Sequence, residues 1–458
     1  MSTTEIMICF DTEDFTSCRA ADAIRDTALL LTDEGIRANY MLVGLLAKQL
    51  VQWRRFDVLD ALKNHEIQSH SKGHSYHPTI CEYTDIADAE QAIALALREE
   101  SECMGMIRAA TGADKIWAGV PAGSNKSDAA MYAYGMLGLD AYCDTYVGLP
   151  DGGPVWCCGL LQIPYVCAFE NICYRNSDAD NDALIEQLAK RKRAIIYNHP
   201  NMITHSNFWD KVNYNGENKH EWGEWEEAPR RPAHETIRFY ERMREFIYKL
   251  KEAKNEDGTP KFVFRTISEV VEAEKRTRTV KRADVPKYLS ALKKAYAEDN
   301  FTPLTLSHAD AEPVSLSECL YAARQFLLDS KLEEVSLDNV VCRGFASEPV
   351  GITVEASLTL DEVSRALKTL DCTKYLPAYL PCGHWKTGMA DLLCAALEFI
   401  CDPTLLGVKV SPKPQQPSLD CMPALRDMKL DGTWVYMKEF KDEYVSDRLR
   451  LQAWTIRE

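Results

Sequence analysis

Residues up to about 275 alternate short apolar runs with stretches of helical period, and this alternation restricts the fold more than any other property of the chain. The sequence predicts strands over 5–10, 36–44, 65–70, 115–121, 140–146, 193–199 and 261–265. Between them it predicts helices over 20–33, 85–110, 127–137, 235–251 and 268–274. Strands separated by helices must pair in parallel, because each crossover returns the chain to the same end of the sheet. A parallel α/β sheet or barrel follows, and such barrels carry their chemistry at the C-terminal ends of the strands.

At 458 residues the chain exceeds what one core organises, so two domains are expected. Residues 275–287 are basic and polar, and the pattern beyond them changes to helices broken by short strand-like pieces and prolines. The expected division is a barrel domain over 1–277, a linker over 278–287, and a smaller α-rich domain over 288–458. Within the latter, the segments ending in 358–370 and 385–400 share a short-strand, turn, helix rhythm suggesting a degenerate repeat. His308 and His384 are isolated there, and lone histidines are usually structural.

A net charge of -16 opposes a nucleic-acid or anionic-membrane partner, both of which need a basic surface. No run of about 18 apolar residues is present to span a membrane, and the first residues lack the pattern of a secretion signal. The 16 cysteines include several inside apolar patterns and none in metal-finger spacing, so reduced thiols and a cytoplasmic location are expected.

The chemistry-bearing spacing is His70-Ser-Lys-Gly-His74, downstream of the acidic cluster Asp11-Thr-Glu13-Asp14. Two imidazoles four residues apart can point the same way, and a carboxylate from another element completes a three-ligand site with room for water. Taken singly, the acids would read as a cap for the following helix and the histidines could face solvent. Together they favour a metal site. Residues 204–231 carry Phe208, Trp209, His220, Trp222 and Trp225 directly after His199. A loop this long inside a compact domain is usually functional, and Trp209 and Trp222 are candidates for a lid or a sugar-stacking platform. His77 could donate to a group that supports a ligand, with a surface turn the preferred reading.

The ordered set Asp11/Glu13/Asp14, His70/His74, Pro121-Ala-Gly-Ser124 and His199-Pro200 resembles the polysaccharide deacetylase family, the NodB-homology or carbohydrate esterase 4 group. His65-Glu-Ile-Gln-Ser-His-Ser-Lys-Gly-His74 is similar to one of its motifs, 36–44 to its second strand, and 262–270 to its closing strand and helix. The similarity covers about 5–275 and has some likeness to the peptidoglycan deacetylase and allantoinase subgroup. It implies a distorted (β/α) barrel of about seven strands. It further implies a hydrolase of carbon–nitrogen bonds other than peptide bonds, with Asp11 as general base and His199 as the acid that protonates the leaving amine. His70 and His74 would bind a divalent metal with Glu13, or with Asp14 in its place. Zn²⁺ is the expected ion, with Co²⁺, Ni²⁺ or Mn²⁺ as alternatives. Pro121 and Ala122 would contact substrate.

One departure stands out. Gly119 falls where the family's third motif places an arginine that pairs with the catalytic aspartate; Lys72, Lys115 and Arg230 are candidate substitutes. The expected activity is N-deacetylation of an N-acetylated amino sugar, the substrate being a small molecule or oligosaccharide. A cyclic ureide or imide amidohydrolase and an inactive carbohydrate-binding protein are the rivals. A homo-oligomer is left open.

Overall fold

Strand β1, Thr4–Thr12, is buried almost throughout, and the sheet is built around it. The computed structural model describes residues 3–144, 147–298, 301–430 and 434–458. β2 (Asn39–Leu42), β3 (Glu66–Ser69), β4 (Ala118–Gly119), β5 (Ala141–Asp144), β6 (Leu160–Ala168) and β7 (Arg193–Asn198) follow in parallel. β7 then pairs with β1 along Glu5–Phe10, closing a seven-stranded barrel with flanking helices. The distortion has a specific origin. β1 gives Cys9–Thr12 to β2 on one edge, while β8 (Phe262–Phe264) pairs with Thr4–Ile6.

The barrel explains several departures from the expected elements. β4 is only two residues long because the Gln68 side-chain carbonyl accepts the backbone N–H groups of Trp117 and Ala118, 2.8 and 2.9 Å away. The helix expected over 85–110 runs over Ala89–Thr111, started by Asp88, which accepts from Glu90 and Gln91, and ended by left-handed Gly112, and a short helix not expected, Ile80–Thr84, precedes it. β6 was not foreseen. Of the strand expected over 140–146, Thr145 and Tyr146 lie outside the described residues.

Contacts divide the chain into two units. The first takes residues 1–154, 160–274 and 428–445, the second 155–159, 275–427 and 446–458. This differs from a split at 277–288 in two ways. Residues expected as linker carry a strand, Thr279–Lys281, and a 3-10 turn, Arg282–Asp284, and 428–445 pack with the barrel. The second unit holds helices Val285–Glu298, Leu316–Leu328, Leu360–Lys368 and Met389–Cys401 with several two-stranded ladders. Of the two segments with the strand–turn–helix rhythm, the second is the hairpin 380–387 leading into Met389–Cys401, whereas in the first the strand Ala356–Leu358 pairs with the distant Val408–Val410 before the helix Leu360–Lys368 begins. Among the described residues no helix is long and apolar enough to cross a membrane.

On the helix Ala89–Thr111, Glu100 is fully buried and accepts from Tyr134 Oη at 3.0 Å. Burial outweighs its hydrogen bonds and raises its pKa to about 7. Between roughly pH 4 and 7 the folded state therefore holds a proton the unfolded chain has released, so this group's contribution to stability falls as pH rises through that window. A Glu100→Gln variant is expected to gain thermal stability relative to wild type on going from acid to neutral pH. Melting curves across that range check it, and parallel curves would contradict it.

Candidate metal centre and active site

The site lies at the C-terminal ends of the barrel strands. Asp11 is near the end of β1 and Glu13 and Asp14 follow it; His70 follows β3, Asp144 ends β5, and His199 follows β7. The loop after β3 turns through left-handed conformations at Ser71 and His74 (φ 66° and 52°), so the two histidines converge from a loop.

Glu13, His70 and His74 are buried, and their potential ligand atoms all lie within 4.8 Å of one another. Glu13 Oε2 is 2.8 Å from His74 Nε2 and 3.5 Å from His70 Nε2. Burial opposes the Glu13 charge, but His74 and His70 hold its carboxyl well below the usual range. His70 is the telling member: it is 2% exposed and neither ring nitrogen has a hydrogen-bond partner. Buried polar atoms are almost always satisfied, and a place for an ion is one of the few explanations for an orphan. The donor set of one carboxylate and two imidazoles fits a divalent transition ion.

Each ligand candidate is held from behind. The Trp209 indole N–H donates to Glu13 Oε1 at 3.1 Å. His74 Nδ1 is 2.8 Å from Ser75 Oγ, which donates to Asp210 Oδ2 at 2.6 Å. Such outer partners fix ring orientation and tautomer in metal sites.

Asp11 and His199 face each other beside this cluster, Oδ2 and Nε2 being 3.7 Å apart. Tyr165 Oη donates to Asp11 Oδ1 at 2.6 Å. Glu170 Oε1 sits 2.9 Å from His199 Nδ1 and also accepts the His199 backbone N–H. Burial works against a charged imidazole here, yet the hydrogen bond and charge of Glu170, with Glu13 and Asp11 beyond, raise the His199 pKa to about 10. A cavity of about 270 Å³ joins these groups, lined also by Pro121, Lys126, Asp144, Phe208 and Trp434.

The structure thus brings together Asp11, Glu13, His70, His74, His199 and Pro121, and leaves other candidates aside. Asp14 turns away to accept from Thr16 N, Thr16 Oγ1 and Ser17 N at 2.9, 2.7 and 3.1 Å. It caps the turn after β1, and burial pushes its pKa up to about 7. Ala122 is buried in a 3-10 turn, its carbonyl taken by Asn125. Trp209 and Trp222 are not the cavity's platform. Trp209 is fully buried against Phe15 and supports Glu13, while Trp222 stacks on Phe15 and meets Trp225 edge-on. His77 is buried against the Glu82 carboxylate rather than exposed.

None of the three expected cations has its partner at Asp11. Lys72 pairs with Glu99 and Glu102, Lys115 with Asp140, and Arg230 with Glu227. The cation lining the cavity is Lys126, buried, with Nζ 3.4 Å from Asp144 Oδ1. Gly119 cannot carry a side chain as packed, since a Cβ would come 2.6 Å from the Tyr134 ring. Gly119→Arg is expected to lower stability by about 1–3 kcal/mol or more through overpacking, read as a drop in Tm.

Sequence reasoning did not find Lys126, Asp144, Tyr165, Glu170, Asp210 or Trp434. Each is a single residue in an unremarkable context, far along the chain from the group it supports.

No family model and no curated protein matches the sequence. Solved structures of low similarity do. A wild-type carbohydrate esterase family 4 pseudoenzyme from Bacillus anthracis matches at 13% identity and TM-score 0.33, covering 59% of this chain and 66% of its own. A family 4 acetyl xylan esterase from Clostridium thermocellum, solved with a cobalt ion, matches at 15% identity and TM-score 0.31, covering 59% and 91%. A family 4 carbohydrate esterase from Streptomyces lividans with acetate matches at 13% identity and TM-score 0.28, covering 54% and 90%. Likeness of this degree carries no argument about activity; the site's own geometry does.

Proposed function

We propose that the chain is a divergent polysaccharide deacetylase-type hydrolase that removes the acetyl group from an N-acetylated amino sugar. The observation carrying this reading is the buried His70, with no hydrogen bond at either ring nitrogen, facing Glu13 and His74. Glu13, His70 and His74 would hold a divalent ion, Zn²⁺ being the expected one. When bound, the ion would supply a water acidified toward neutral pH, to about 7 in the most effective sites, and polarise the scissile carbonyl.

The chain's own residues account for the proton movements. Asp11, held through one oxygen by Tyr165, has its other oxygen toward the cavity and accepts the proton of the attacking water. His199, kept protonated by Glu170, delivers a proton to the amine as it leaves. A carboxylate that can take a proton and an imidazole that can give one, side by side, are what acid–base hydrolysis needs. Acetate release from N-acetylhexosamines by metal-loaded protein tests the reading; none from any of them would refute it.

Trp209→Phe keeps the packing and removes the N–H to Glu13. It is expected to weaken metal affinity about 10–100-fold, the usual cost of an outer partner, as measured by competition with a chromogenic chelator.

A second reading, sugar binding without turnover, is favoured by one observation: Tyr134 fills the space that a side chain at position 119 would need. It predicts saccharide binding by the metal-loaded protein with no acetate formed.

A further inference from the structure

We infer that residues 434–438 are a specificity element that restricts the cavity to one N-acylated sugar unit, with Trp434 and Phe208 forming the wall against which that unit packs. The inference rests on the deacetylase reading for the identity of the ligand, and its geometry is independent of turnover.

The segment crosses the mouth of the barrel. Val435 packs where a side chain on Gly123 would otherwise stand, a Cβ there coming within 2.6 Å of Val435 and 3.4 Å of His74. Gly123 follows β4. Gly216, in the insertion after β7, donates its N–H to the Trp434 carbonyl at 2.9 Å and accepts from Lys438 N at 3.1 Å. β4 and β7 are three strands apart in a closed ring of seven, so the segment bridges opposite sides of that mouth. It is firmly anchored. Lys438 pairs with Glu217 at 2.8 Å, Met437 N donates to Glu82, and the N–H groups of Glu443, Tyr444 and Val445 all donate to the Asp85 carboxylate.

Crossing the mouth removes the open-ended groove that an extended polysaccharide would need. The cavity left, about 270 Å³, is just under the roughly 300 Å³ at which drug-sized ligand sites begin. One wall of it is aromatic. Phe208 meets the His199 ring edge-on at 5.0 Å, and the Trp434 ring lies 6.0 Å from Phe208 with planes 35° apart. Lys211 Nζ stands 5.4 Å from the Trp434 ring centre. The wall therefore runs from the proton donor outward, where the apolar face of a pyranose could lie while its N-acyl group reaches the buried cluster. Trp434 takes the part that sequence reasoning gave to Trp209 and Trp222.

The test is calorimetric binding of N-acetylglucosamine and its β-1,4-linked tetramer to the full-length, zinc-loaded chain, with acetate release followed in parallel. Wild type should bind the two within about threefold of each other, because further units find no subsite, and Trp434→Ala held at saturating zinc should weaken both about tenfold or more. Trp434→Phe should restore most of the loss. Val435→Ala, which opens the bridge, should raise tetramer affinity over monosaccharide. An affinity rising about tenfold or more from monosaccharide to tetramer in wild type, no effect of Trp434→Ala, or no saccharide binding at all would overturn the inference. The two readings fail separately. Length-independent, Trp434-dependent binding without acetate release sinks the deacetylase and keeps the wall; acetate release that climbs steeply with chain length does the reverse.

Discussion

His70→Ala is expected to leave the purified chain without stoichiometric metal. Its imidazole is one of the two nitrogen donors in the one such cluster found among the described residues. Losing an outer partner already costs about 10–100-fold in affinity, so losing a ligand should exceed the upper end of that range, with acetate release falling to background. The variant should nonetheless fold, because His70 makes no hydrogen bond whose loss would be felt. Elemental analysis alongside a melting curve reads both outcomes. Full metal content in the variant would refute the ligand assignment.

The second large effect concerns proton transfer. Asp11→Asn keeps a partner for Tyr165 but cannot take a proton, and His199→Ala removes the donor while leaving Glu170 in place. Each is expected to lower kcat by about 10²–10⁴-fold with little change in metal content. The double variant should lose less than the product of the two, since the groups face each other across 3.7 Å and serve one reaction cycle. Strictly multiplicative losses would mean that the two act in unrelated steps.

What could be read in advance follows a physical line. Asp11, Glu13, His70, His74 and His199 announce themselves because each sits in a short motif where a strand gives way to a loop. Spacing alone brings the first two acids, and then the two histidines, into one neighbourhood. Asp14 was harder: its hydrogen bonds to Thr16 and Ser17 depend on a turn immediately after β1 that spacing does not reveal. β6 was missed because Pro164 lies within it, and a proline usually argues against an interior strand. Tyr165, the support of Asp11, disappeared with that strand. Trp209 was noticed for the right region and given the wrong face, since composition cannot tell a ring that lines a cavity from one packed beneath it. Residues 428–445 gave no sign of joining the barrel, because they are separated from it by most of the second unit.

The three successive amides on Asp85 have a bearing on biosynthesis. Everything needed to close the ring of strands leaves the ribosome long before residues 443–445, which clip the bridging segment in place. Domains commonly form during translation, from the amino-terminal side onward. The nascent barrel therefore passes through a period with its mouth uncovered, and its pocket acquires a finished shape only after residues 443–445 have been made.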